Sequence, residues 1–314
     1  MKRVNWLGNA ALAVLLLLDL ALVALVFTHK GGQVAGDTVP LTSTGSSSST
    51  GPAESTAAPR ATLVAGLLSV VDAKTVWSAT KGTCGKGGAT VSVSKDSGAN
   101  WTAVKEQPYG ALTRLDASSD RAAFVVGADS TCKLAIRSTS TGGETWRDPS
   151  TVSTSWALDL ADATLVHSTS GTTSTPCGTV HVTAFARSSD SAATVLCDDA
   201  STRTTTDAGQ KWSNGPSLSG VAQLGSVLSF AAAGSGSSAR LVVASPATDC
   251  AGVAISTSTG GKDFVRAACV TPVAATTLPV ALAQQGDSVG AMWLLVGTDL
   301  WRASGSFTAW AKAS

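Results

Sequence analysis

Residues 94–101 read SKDSGANW, and residues 204–212 repeat the pattern as TTTDAGQKW. Both satisfy S/T-x-D-x-G-x-x-W, with Ser94 or Thr205, Asp96 or Asp207, Gly98 or Gly209, and Trp101 or Trp212 at matching offsets. Two further copies, TSTGGETW at 139–146 and TSTGGKDF at 257–264, keep Thr139 and Thr257, Gly143 and Gly261, and the closing Trp146 and Phe264, but carry Thr in place of Asp. A fifth echo, WRASGSFTAW at 301–310, keeps an entering strand and a final Trp. The residue types suit a tight turn between strands. Asp, Ser and Thr oxygens accept turn amide hydrogens, and Gly takes a positive φ closed to other residues. A Trp opening the next strand packs back over the turn, so each copy reads as a self-contained peg on one β-hairpin.

A turn recurring at this interval points to a repeat architecture. Alternating apolar segments around each copy fit four short strands, such as ATLVAGLLSVV, KTVWSAT, ATVSVSK and NWTAVK around the first. The closing aromatics Trp101, Trp146, Trp212, Phe264 and Trp310 are 45, 66, 52 and 46 residues apart. Five four-stranded units result. The surplus in the 66-residue interval, STSWALDLADATLVHSTSGTTSTPCG, reads as a long connection with an extra hairpin, the alternative being a degenerate sixth unit.

The repeated turn resembles the Asp boxes of bacterial neuraminidase repeats, as in sialidases, sortilin-type propellers and photosystem II assembly factor-type propellers. The resemblance runs as a rhythm from about residue 62 to 314 and implies an all-β fold, a propeller of five or six blades. It further implies that the box joins the third and fourth strands of each blade, on the face away from the usual ligand site. Ligand contacts then fall to the second-to-third-strand loops and the connections between blades, where Lys81, Lys86, Tyr109, Asp129, Trp156, Asp198, Asp199 and Asp249 are the candidates. The catalytic set of a sialidase is not matched. Tyr109 is the one tyrosine of the chain, in the turn-like EQPYGAL, and no F/Y-R-I-P segment precedes the repeats.

Other chemistry finds little support. No G-x-S-x-G elbow stands between a strand and a helix. His167 and His181 read as strand or loop edges, and the loop TKGTCGKGGAT around Lys86 lacks the order of a phosphate loop. Residues 61–314 hold nine Lys and nine Arg against eighteen acidic residues, a net charge of zero without a basic cluster, which argues against nucleic acid. The cysteines form no C-x-x-C pair, so neither a zinc site nor another cofactor is expected.

All six cysteines follow residue 60, as suits disulfides in an oxidising compartment. Cys177 and Cys197 flank the first hairpin of the third unit, and Cys250 and Cys269 are balanced about the fourth turn motif. Cys84 and Cys132 are left to pair by elimination, each following a second strand of neighbouring units. Fifteen connectivities are open to six cysteines, and the hairpin symmetry narrows them without settling the choice.

Residues 4–27 form a nearly continuous apolar run, interrupted by Asp19, long enough to span a bilayer core as a helix. Lys2 and Arg3 before it outweigh His29 and Lys30 after it, which orients the N-terminus inside. A cleaved signal peptide, cut near residues 34–36, is the competing reading. Residues 31–60, rich in Ser, Thr, Gly and Pro, read as a stalk. The expected organisation is a membrane helix over 1–30, a stalk over 31–60 and a propeller over 61–314. The function expected is a non-enzymatic module displayed outside the membrane, with a protein or an envelope glycan as partner. The alternatives are a divergent glycoside hydrolase using Asp198 and Asp199 and an extracytoplasmic assembly factor.

Overall fold

The computed structural model describes residues 62–218, 227–234, 239–271, 277–285 and 291–313. The apolar run at 4–27 and the stalk at 31–60 lie outside the described residues. Among the described residues no helix is long and apolar enough to cross a membrane.

The described chain folds into antiparallel meanders. Sheet I comprises β1 (Thr62–Val70), β2 (Val76–Thr80), β3 (Thr90–Ser94) and β4 (Thr102–Ala103). Sheet II comprises β5 (Ala111–Ala117), β6 (Ala123–Ala128) and β7 (Leu134–Thr139). Where a fourth strand is expected at TWRD, an isolated bridge between Ile136 and Ser150 stands instead. Sheet III is small: β8 (Ala157–Leu158), β9 (Val166–His167) and β10 (Thr173–Ser174). Sheet IV comprises β11 (Val182–Arg187), β12 (Ala193–Cys197), β13 (Thr202–Thr205) and β14 (Ser213–Asn214). Sheet V comprises β15 (Ser229–Ala233), β16 (Arg240–Ala247), β17 (Cys250–Ser258) and β18 (Val265–Val270). Sheet VI comprises β19 (Thr277–Gln284), β20 (Ala291–Val296), β21 (Asp299–Ser304) and β22 (Ala311–Lys312).

The surplus segment before Cys177 therefore does not form a mere connection. Its apolar residues at Trp156, Leu158 and Val166 support a three-stranded sheet of two-residue strands, which makes the ring six-membered. Sheets I and VI are joined into one eight-stranded sheet by parallel pairing of β1 with β19, from Thr62 opposite Thr277 to Ala65 opposite Val280. From Gly66 to Val70, β1 pairs instead with β2. First and last sheets thus meet, and the sheets close into a β-propeller.

The core is divided among the interfaces between sheets. Separate apolar clusters fill I/II, III/IV, IV/V, V/VI and VI/I. Strands such as β12 and β20 are buried along their whole length, as expected of strands covered on both faces. Among the described residues the II/III joint has no such cluster, and polar contacts take its place, as described below.

The repeated turns have the bonding that their residues suggest. In the first, the Ser94 hydroxyl donates to Asp96 Oδ1 at 2.9 Å and accepts from the Gly98 amide at 2.8 Å, while Asp96 Oδ1 accepts from the Asn100 amide at 2.9 Å. The copy at 205–212 repeats these bonds, the Lys211 amide donating to Asp207. In the copy at 139–146, Thr141 replaces the carboxylate and its Oγ1 accepts from the Thr145 amide at 3.1 Å. A hydroxyl can occupy the acceptor position, so the loss of Asp leaves the turn intact.

Three of the closing tryptophans are not self-contained pegs, whereas the Trp310 indole donates within its own turn to the Phe307 carbonyl. The Trp101 indole donates to the Thr298 carbonyl in sheet VI, Trp146 to the Glu106 carbonyl after sheet I, and Trp212 to Ser174 Oγ in sheet III. Each bond reaches the preceding sheet. The turn glycines are pressed by the same neighbours. A Cβ on Gly98 would meet Leu300 at 2.7 Å, one on Gly143 would meet Val104 at 2.4 Å, and one on Gly209 would approach Ser168 and Trp156. In the last copy, Phe307 stands where the others have Gly. It holds a φ of +58° and is buried in the V/VI interface.

All three disulfides pair as symmetry suggests. Cα–Cα distances are 5.5 Å for Cys84–Cys132 and 5.7 Å for both Cys177–Cys197 and Cys250–Cys269. The first joins the β2–β3 turn to the β6–β7 turn, so it staples two sheets together.

Gly143→Ala should destabilise the domain by about 2 kcal/mol or more in chemical denaturation, since it adds a positive-φ penalty to a collision with Val104. Gly261→Ala, with nothing within 4 Å of its Cβ position, should lose only the backbone contribution. Equal losses at both sites would mean that contact between sheets is not what requires glycine.

Candidate functional site: the central channel

The innermost strands surround a channel of about 770 Å³, lined by β1, β5, β8, β11, β15 and β19 and by Lys81 after β2. Neighbouring inner strands are tied by side chains that accept backbone hydrogens. Ser69 Oγ accepts from the Ala117 amide at 2.9 Å, Thr113 Oγ1 from Leu158 at 3.2 Å, Ser229 Oγ from Leu282 at 2.9 Å, and Gln284 Oε1 from Gly234 at 2.8 Å. Polar side chains on these inner strands thus satisfy backbone amides that no strand pairing reaches.

One side of the channel carries a charged network. Arg114 Nη1 donates to Ser155 Oγ at 2.7 Å and to the Trp156 carbonyl at 3.2 Å, and Nη2 pairs with Asp116 at 2.8 Å. Its guanidinium also lies over the Phe124 ring, 4.9 Å from the centroid. Arg187 of sheet IV reaches the same Asp116 oxygen at 3.3 Å and Asp190 at 3.5 Å. Sheet III is too short to fill its share of the ring, and these long side chains bridge II to III and II to IV. Burial holds the Arg114 pKa below its ordinary value, and repulsion from Arg187 acts in the same direction.

Lys81 is the other channel cation. It keeps partial contact with solvent but is surrounded by protein, and that desolvation lowers its pKa. Its backbone is pinned between sheets, the carbonyl accepting from the Leu112 amide at 2.7 Å and Gly82 bridging to Ala111.

The other candidate residues are dispersed. Lys86 is exposed on the β2–β3 turn. Asp129, on the β6–β7 turn, accepts from the Thr131 amide and hydroxyl, and Asp199, on the β12–β13 turn, accepts likewise from Ser201. These bonds hold both carboxyls below the usual range, the hydroxyl bond being the larger cause in each. Asp198 is exposed beside Asp199, and Asp249 pairs with Arg266 at 3.2 Å on the β16–β17 turn. Tyr109 and Asp129 border a shallow cleft of about 420 Å³ with Gln107, Pro108, Arg137 and Pro149, and the Arg137 guanidinium lies 5.5 Å from the Tyr109 ring centroid. Trp156 is not at the surface. It is fully buried against Phe185 and Trp212, and its indole donates to the Asp190 carbonyl at 3.1 Å. A large apolar ring beside a short sheet fills space that the sheet leaves.

Arg114, Asp116, Arg187 and Asp190 were not among the sequence candidates. The signal was present in TRLDAS and FARSSD, two inner-strand segments that each carry a cation and an acid. His167 is paired as well, its Nε2 2.8 Å from Asp159 Oδ2 within sheet III.

Asp116→Asn should cost about 2 kcal/mol, because two guanidiniums would lose their shared carboxylate, whereas Asp190→Asn, at an exposed end of the network, should cost under about 0.5 kcal/mol. Urea titration of the two variants distinguishes them, and equal losses would mean that Asp116 is not the hub. A pH effect follows from Asp159. Burial alone would raise its pKa, but the His167 ring and the amides of Asp162 and Ala161 outweigh this and hold it low. Its contribution is therefore full above its unfolded value of about 3.9 and is lost as pH falls from there through the lower folded value. His167→Gln should flatten the dependence of unfolding free energy on pH below about 4. An unchanged slope would show that the pair contributes nothing.

No protein-family model matches the chain, and no curated protein matches it. Solved structures similar to it are β-propellers of low identity. YCF48 bound to D1 peptide is 13% identical with a TM-score of 0.42, over 81% of this chain and 84% of that one. The fucose-specific lectin from Aleuria aurantia is 12% identical with a TM-score of 0.48, over 81% and 96%. The GH74 xyloglucanase from Xanthomonas campestris is 18% identical with a TM-score of 0.33, over 78% of this chain and 38% of that one. The propeller architecture of this chain rests on its own closed ring of sheets.

Proposed function

We propose that the chain is an Asp-box propeller, tethered outside a membrane by its N-terminal apolar segment, that binds a protein or an envelope glycan without turning it over. The channel carries this reading. Six inner strands converge on a space whose size suits a ligand. Among the described residues lining it there is no His, Tyr, Cys or Glu, and both lining carboxylates, Asp116 and Asp190, are engaged by arginine. The chemistry available there is that of holding rather than of nucleophilic attack. Three disulfides support an oxidising compartment, and Lys2 and Arg3 before the apolar segment support an inside N-terminus.

The full chain, with its disulfides intact in neutral detergent, should retain one class of envelope component, protein or glycan, in a saturable manner. Protease added to intact cells should digest the propeller. Saturable retention of nothing, or protection of the propeller from external protease, would overturn the reading. Turnover of fluorogenic glycosides that is lost in Asp190→Asn would replace it with a hydrolase.

A further inference from the structure

Among the described residues that line the channel, one charge has no counter-charge. Arg114 and Arg187 are matched by Asp116 and Asp190, two cations against two anions in one connected network. Lys81 lines the same space, and among the described residues its ammonium has no hydrogen-bond or ion-pair partner. Desolvation is the one influence on its charge, without any opposing contribution from a neighbouring carboxylate. The backbone of the lysine is fixed at the channel wall, its carbonyl accepting from the Leu112 amide while the adjacent Gly82 bridges to Ala111.

An unmatched ammonium in a partly dehydrated space is unfavourable for folding and becomes favourable when a counter-charge arrives. The remaining lining describes what such a counter-charge is attached to. Leu67, Leu158, Phe185 and Leu228 each keep part of their surface open toward the channel. The site therefore presents one excess positive charge beside an apolar wall. A dianion would leave a surplus negative charge in the same space, whereas a monoanion balances it.

We propose that the channel binds the carboxylate of a monoanionic ligand with an apolar body, using the Lys81 ammonium as the anchor. This rests on the reading of the channel as a binding site and specifies the charge of what enters it.

The test uses the full chain with intact disulfides in neutral detergent. Hexanoate is the probe, hexanamide its uncharged isostere, and inorganic phosphate the alternative anion, each against chloride at equal ionic strength. Hexanoate should shift the Lys81 side-chain NMR resonance saturably and bind about tenfold or more tighter than hexanamide, with phosphate no better than chloride. Lys81→Gln should abolish that preference while leaving hexanamide binding unchanged, and Lys81→Arg should retain it. Hexanoate affinity should also fade with rising pH earlier than an exposed lysine would cause. Because Lys81 has no partner to lose, the melting temperature of Lys81→Gln should equal or exceed that of the parent.

Equal binding of hexanoate and hexanamide, an unmoved Lys81 resonance, or undiminished hexanoate affinity in Lys81→Gln would overturn the proposal. So would a clear drop in melting temperature in Lys81→Gln, since that would reveal a structural partner. If envelope components are retained equally by the parent and Lys81→Gln while hexanoate fails, the anchor falls and the broader function stands. If hexanoate binds as expected while no envelope component is retained, the reverse holds.

Discussion

The ring depends on β1 being shared between two sheets. Its first residues pair in parallel with β19 of the last sheet, and its later ones pair antiparallel with β2 of the first. The switch falls at Gly66, where a Cβ would lie 3.3 Å from the Ala79 carbonyl and 3.4 Å from that of Val280, one neighbour on each side. Hydrogen bonding across this seam turns a row of sheets into a closed one, and closure brings every inner strand to face the channel. Among the described residues the other sheets share no strand-to-strand ladder, only single backbone contacts such as the Gly82–Ala111 bridge. Their cohesion comes from apolar clusters, from indole bonds reaching the preceding sheet, and from inner-strand hydroxyls that accept a neighbour's amide hydrogen.

Sheet III strains that arrangement and explains the channel's chemistry. Two-residue strands offer little apolar surface, so the ring compensates with large or charged groups from neighbours. Trp156 fills the III/IV interface, and Arg114 forms the II/III joint by binding Ser155 and the Trp156 carbonyl. Arg187 and Asp116 then span from IV to II. A guanidinium is suited to this because it donates in several directions while its flat face rests on Phe124. The network is thus a repair of the fold, which leaves Lys81 as the channel cation whose ammonium has no partner among the described residues.

Parts of this were legible from the amino-acid order. Turn motifs with Ser or Thr, Asp and Gly at fixed offsets specify local bonds, and those bonds form within a few residues wherever the chain goes. Cysteine positions balanced about hairpins were legible for the same reason, since antiparallel pairing sets residues opposite each other by counting. Trp156 was misplaced because counting does not reveal what covers a residue. Its segment looked like a connection, and only the weakness of sheet III makes a buried tryptophan necessary there.

Local spacing by itself determined the repeat, its turns and the two disulfides that close hairpins, because all of these depend on contacts close in sequence or related by simple pairing. Tertiary structure alone decided that there are six sheets, that the turn tryptophans bind the preceding sheet, and that Arg114, Asp116, Arg187 and Lys81 face one channel. Trp101 and Thr298 are 197 residues apart, and Asp116 and Arg187 are 71 apart. Contacts of that kind follow from closing the ring, whose geometry no short stretch of chain encodes.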